Sequence, residues 1–134
     1  MPTYTYDCPE CCTPGGCCEN APDTLFATLT TGCPFLSGQT VELTLGMGGD
    51  WSGTVGTGDE TTIVTLHCED GVWSLLVAIS DTCSARWGDY PGATGAAGEA
   101  SCDPVDITFE DNEIVAHNPL CECEQYTISV VISE

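Results

Sequence analysis

The chain has 134 residues, and its 21 acidic residues against a single Arg and no Lys give a formal net charge of -20. This length makes one domain that can bury its own core, and a hydrophobic fraction of 42% excludes a disordered chain. The charge excludes nucleic-acid phosphates and anionic lipid as partners, because almost no cations are present to release counterions, and it leaves a basic surface, a cation or no partner at all, the acidic surface then serving solubility.

Residues 1–22 read as a cysteine-rich arm, and residues 23–134 as a β-domain. Five of the 11 cysteines fall in the arm: Cys8, Cys11, Cys12, Cys17 and Cys18. Pro2, Pro9, Pro14, Pro22 and Gly15-Gly16 exclude a helix or a central strand there. Tyr4 and Tyr6 alternate like a strand and could add to a neighbour's sheet edge.

From Asp23 the texture turns to alternation. Leu25, Ala27 and Leu29 share one face, and Gly32-Cys33-Pro34 ends that run. Val41, Leu43 and Leu45 come next, then the turn cluster Gly46 to Asp50, the segment Trp51 to Val55 and a second turn at Gly56 to Glu60. Val64, Leu66 and Cys68 form the following face, which places His67 on the opposite, exposed one. Glu69-Asp70-Gly71 carries the Asp-Gly hairpin signal, after which Trp73, Leu75, Val77 and Ile79 point inward. Cys83 to Trp87 makes a short strand, and Asp89 to Ser101 a long surface loop. Val105, Ile107 and Phe109 mark another strand, Asp111-Asn112 a tight turn and Glu113 to Ala116 its return. Tyr126, Ile128, Val130 and Ile132 close the chain.

Period two over about eight short strands, with no segment of helical period, predicts an antiparallel sandwich or barrel, foremost a β-sandwich of jelly-roll or immunoglobulin-like type. No leader of basic then apolar residues precedes the strands, and no stretch is long enough to span a membrane.

The cysteines carry the strongest chemical signal. Cys33, Cys68, Cys83 and Cys102 sit singly at strand ends, and Cys121-x-Cys123 precedes the last strand. Vicinal pairs favour a disulfide framework, yet Cys17-Cys18 with Cys121 and Cys123 could make a four-thiolate zinc site if the termini meet. Eleven is odd, so one thiol is left over or bridges to another subunit. Clustered hard oxygens at Glu110, Asp111 and Glu113 offer a calcium site, against the plainer reading that such residues make hairpin turns. Trp87 and Tyr90 could form an exposed contact patch for a carbohydrate or a protein. His67 and His117 are the only imidazoles, and no nucleophile elbow, zinc-protease motif or phosphate loop is present. A catalytic reading therefore has no residues for its named roles.

Cys17-Cys18, Pro22 to Thr28, Trp51 to Val55 and Cys121 to Val130 resemble short Cys-rich, Thr-rich β-sandwich proteins of bacterial and phage-associated origin. Those proteins have no assigned activity, so the resemblance implies a β fold and transfers no functional residue. The sequence thus leads to a non-enzymatic structural protein of an extracellular assembly, foremost a virion accessory component such as a capsid decoration or tail protein. It would act as a homo-oligomer or bound to a larger protein lattice, with no cofactor. The alternatives are a soluble carbohydrate- or calcium-binding module and a zinc-stabilised cytosolic domain.

Overall fold

The computed structural model describes residues 21–33, 38–55, 61–69, 71–79, 83–102, 104–116 and 126–134. Residues 1–20 of the arm, with Tyr4, Tyr6 and its five cysteines, lie outside these residues, as do the turn at Gly56 to Glu60, His117, Cys121 and Cys123.

The described chain is all antiparallel β-structure: β1 (Thr24–Thr31), β2 (Thr40–Leu45), β3 (Trp51–Val55), β4 (Thr62–Glu69), β5 (Val72–Ile79), β6 (Cys83–Trp87), β7 (Glu99–Cys102), β8 (Val105–Glu113), β9 (Val115–Ala116) and β10 (Thr127–Ser133). These strands form one sheet in the order β7-β8-β10-β1-β2-β3-β4-β5-β6-β9. The all-β antiparallel expectation holds, and its form is one sheet curled into a half-barrel rather than a clear two-sheet sandwich. Alternation identifies the buried face of a strand, but it does not tell whether that face meets a second sheet or the same sheet bent round.

The inward positions are those the period-two pattern selects. Leu25, Ala27 and Leu29 of β1 bury beside Val41 and Leu43 of β2, Val64 and Leu66 of β4, and Leu75 and Val77 of β5. Ile107 and Phe109 of β8 and Ile128, Val130 and Ile132 of β10 complete the circuit. Large rings occupy the space between them. Trp51 and Trp73 lie 5.8 Å apart, as do Trp87 and Phe109, the latter pair edge to face. A curled sheet of this size has an inside just wide enough for its own side chains, and these residues form one contiguous core.

The β4–β5 turn follows its sequence signal. Glu69 pairs with Val72, and Gly71 takes a φ of 79°, which a two-residue hairpin turn requires and which glycine adopts without a Cβ clash.

Two local expectations are overturned. Asp111-Asn112 is not a turn: β8 runs unbroken from Val105 to Glu113, and Thr127 and Ile128 of β10 pair with Glu113 and Asn112. A bulge between Ile128 and Val130 shifts the register there, which a pattern of turn-forming residues does not distinguish from a reversal. Part of the expected loop at Asp89 to Ser101 is strand, because Glu99 to Cys102 pairs with Val105 to Thr108 at the sheet edge.

Ile114 alone separates β8 from β9, yet the two belong to opposite ends of the sheet order. Cys83 and Ser84 of β6 pair with Ala116 and Val115, so this one stretch of chain draws the ends of the sheet together. Where β6 and β8 splay apart below that point, the ladder is replaced by side chains and a glycine. Trp87 Nε1 donates to the Glu110 carbonyl at 2.8 Å, and Asn112 Nδ2 donates to the Arg86 carbonyl at 2.8 Å. Gly95 enters the gap, donating to the Arg86 carbonyl at 3.1 Å and accepting from Gly88 N at 3.0 Å. A Cβ on Gly95 would lie 2.8 Å from both Asn112 Nδ2 and Trp87 Nε1, so only glycine fits this close approach.

Candidate functional site

The segment after β6 makes the surface relief. Gly88 leaves the strand with a φ of 81°, and Asp89 N donates to Ser74 Oγ at 2.9 Å, pinning the chain onto the outer face of β5. Tyr90-Pro91-Gly92-Ala93 then reverses direction. Ala93 N donates to the Tyr90 carbonyl at 3.0 Å, with Pro at the second position and Gly92 at a φ of 79° in the third, the residue order of a type II turn. Arg86 Nη1 donates to the Pro91 carbonyl at 2.8 Å and holds the tip of the turn down. Pro91 and Gly92 form a ridge, with one cleft on each side.

The first cleft, of about 210 Å³, is lined by His67, Glu69, Ser74, Asp89, Tyr90 and Pro91. His67 Nδ1 faces Asp50 Oδ1 at 2.5 Å, and its Nε2 faces Glu69 Oε1 at 3.1 Å. A neutral imidazole has one N–H and satisfies one carboxylate, whereas the imidazolium satisfies both. The bond to Asp50, and then the bond to Glu69, raise the His67 pKa above its ordinary 6.5. Burial raises the Tyr90 phenol, and the Asp50 charge adds to it. The imidazolium ties the Gly46 to Asp50 turn to β4.

The second cleft, of about 180 Å³, is lined by Ser84, Arg86, Gly92, Thr94 and Val115. Arg86 is the one permanent cation of the whole sequence. Thr94 is fixed by donating through Oγ1 to Asn112 Oδ1 at 2.8 Å, the same oxygen that accepts from Glu113 N at 2.9 Å.

The chain matches no known protein family, no curated protein and no solved structure.

The structure redistributes the residues singled out from the sequence. Trp87 is fully buried against Phe109, so the exposed patch with Tyr90 is corrected: Trp87 follows the inward parity of Cys83 and Ala85, and only Tyr90 reaches a cleft. Glu110, Asp111 and Glu113 are spread along β8 rather than gathered in a turn, and Asp111 Oδ2 accepts from Thr127 Oγ1 at 3.2 Å. Among the described residues no three His, Cys, Asp or Glu side chains come together to hold a metal ion. Cys33, Cys68 and Cys83 are disulfide-bonded, which removes them as thiolate ligands for zinc. Three is odd, so at least one of these bridges runs to a cysteine other than these three. Cys33 and Cys83 stand at one rim of the curled sheet, where β1 and β5 end, and Cys68 at the other, where β4 ends. Cys102 closes β7 at the same rim as Cys68.

Sequence reasoning missed Asn112, Arg86, Thr94 and Asp50. The Pro-Gly pair at 91–92 was the available signal for the ridge. Nothing in the sequence marked Asn112 as buried.

Proposed function

We propose that this protein is a non-enzymatic structural component of an extracellular assembly, with a virion accessory role, such as capsid decoration or tail protein, as its foremost form. The observation that carries this reading is an interior given over to packing beneath rims whose cysteines are cross-linked. Tryptophan and aliphatic side chains occupy the space that a ligand-carrying barrel would leave open. Disulfides persist outside reducing cytosol, and a single Arg in 134 residues leaves almost nothing for trypsin-like proteases. The surface and the cysteine arm then do the work, through contacts with other subunits.

The one arrangement with a catalytic outline among the described residues supports the same reading. Asp50 orients His67, and Ser74 is the cross-strand partner of His67. Nε2 of His67, the atom that would activate a nucleophile, is engaged by Glu69 instead.

The test is sedimentation of native source material, with mass spectrometry of this chain in each fraction. Recovery mainly in particles or fibres is the expected result, and recovery only as a soluble monomer sinks the reading. A soluble carbohydrate- or calcium-binding module is the second reading. It is favoured by the placement of Tyr90 beside Glu69 and Asp89 in one cleft. Saturable calorimetric binding of calcium or glycans by a monomer would select it.

A further inference from the structure

The cleft beside Arg86 departs from the chemistry of the rest of the chain. Twenty-one carboxylates surround a single guanidinium in this sequence. The ion pairs among the described residues are nevertheless made by His67, with Asp50 and Glu69. Arg86 spends one donor, Nη1, on the Pro91 carbonyl, and its buried Nε–H has no acceptor among the described residues. That Nε–H is closed to solvent and one Nη1 N–H is spent, so a ligand in the cleft meets the remaining N–H groups of the planar guanidinium, whose geometry matches a carboxylate. The walls complete the description. Thr94 and Ser84 line it, the Thr94 proton being donated to Asn112 Oδ1, and Val115 supplies a half-exposed apolar surface. Arg86 is held by Pro91 and Thr94 by Asn112, so the polar side of the cleft is set before any ligand arrives.

We infer that this cleft is a carboxylate-binding site, taking a carboxylate with a short apolar group attached. The remaining N–H groups of Arg86 receive the carboxylate, and the apolar group rests on Val115. A cleft of about 180 Å³ holds a short-chain organic acid or the last residue of a peptide, and not a sugar chain or a nucleotide. This inference does not rest on the assembly reading. A free acid and a chain terminus share the same chemistry here, and the probes below separate them.

The long-range field gives the site an unusual signature. A net charge of -20 repels any anion, so affinity is expected to rise from low salt to about 0.1 M, where the Debye length falls to about 10 Å. An ordinary anion site on a basic surface weakens over the same range.

Because the chain has one Arg, the side-chain Nε–H region of its ¹⁵N spectrum contains a single resonance, which reports on this cleft alone. The full chain is titrated with propionate and with a pentapeptide ending in valine, as free acid and as C-terminal amide, each against sodium chloride at equal ionic strength. A saturable shift of the Arg86 Nε–H resonance with propionate assigns the site to small organic acids. A saturable shift with the free-acid peptide alone assigns it to a chain terminus. No saturable shift with either, or a shift that chloride or the amide reproduces, overturns the inference.

Val115→Glu places a like charge at the mouth without touching the core, and about tenfold weaker binding is expected. Arg86→Lys keeps the charge and a donor for Pro91 but loses the fork, and calorimetry is expected to show weakening of similar size. Unchanged affinity in Val115→Glu also overturns the inference, whether or not the Arg86 variant folds.

Discussion

The wall from β1 to β5 and the seam between β6 and β8 meet the same demand by different means. Each must satisfy the backbone of a bent sheet while keeping water from one core. In the wall, ladders do most of this: Thr24 to Thr28 pairs with Thr40 to Thr44, and every residue of β4 pairs with one of β5, while β2 and β3 share only the pairs Thr44–Ser52 and Leu45–Trp51. At the seam the ladder lasts only for Cys83 and Ser84, and it is followed by the Trp87 indole, the Asn112 amide and the Gly95 backbone. A ladder spreads its stabilisation over many interchangeable residues. The seam concentrates it in three that cannot be exchanged. Substitutions on the outer face of the wall should therefore be nearly silent, and those in the seam should not.

Trp87→Ala breaks the comparison most severely. It removes a fully buried indole together with its bond to the Glu110 carbonyl, and a loss of about 3–5 kcal/mol is expected from denaturant unfolding. A loss below about 1 kcal/mol would mean that Trp87 is not core. Gly95→Ala comes next, at about 3 kcal/mol, because its methyl group meets the Trp87 ring and the Asn112 amide in a gap with no slack. Thermal unfolding would show it, and a variant as stable as the parent would rule out this path for the segment. Asn112→Ala leaves the Thr94 hydroxyl and Glu113 N without their partner and takes one of two donors from the Arg86 carbonyl, which keeps Gly95 N, for about 1–3 kcal/mol. Hydrogen exchange in that variant should speed up first at β6 and β8, while β1 and β2 stay protected.

The His67 clamp is a smaller matter, since it lies on the partly exposed outer face. Its raised pKa means that the folded state binds the proton more tightly than the unfolded chain. The stabilisation is fully present below the ordinary value of 6.5 and is lost as pH rises through the raised folded pKa. Its size is below about 1 kcal/mol, as for other solvent-screened ion pairs. The difference in stability between the parent and His67→Gln should shrink over that rise, and an imidazole titrating at or below 6.5 by NMR would refute the two-carboxylate geometry. The smallest effect is expected for Ile63→Thr. Ile63 is 45% exposed on the outer face of β4, and its replacement should stay within about 0.5 kcal/mol by chemical unfolding. A larger loss there would show that the outer wall is covered by something.

Both regions bear on what could be read in advance. The inward sets Leu25-Ala27-Leu29, Trp73-Leu75-Val77-Ile79 and Ile128-Val130-Ile132 were legible because side chains alternate strictly along a strand, so hydrophobicity alone assigns their faces. The Asp-Gly hairpin was legible because positive φ has few residues to serve it. Trp87 obeyed the same parity, but its neighbours Arg86 and Tyr90 suggested a surface patch. The candidate clefts were hidden for a different reason. Asp50 and His67 are 17 positions apart, and Arg86 and Asn112 are 26 apart, so no local pattern joins them.

The sequence by itself determined which residues face inward, that the elements are short strands, and that the surface is acidic, because periodicity and charge are local or additive properties. Only the tertiary structure decided that one sheet bends round on itself, that a two-residue strand draws its ends together, and that the single Arg lines a cleft. Those outcomes depend on backbone groups finding partners far along the chain, and hydrophobic alternation is the same whichever partner is found.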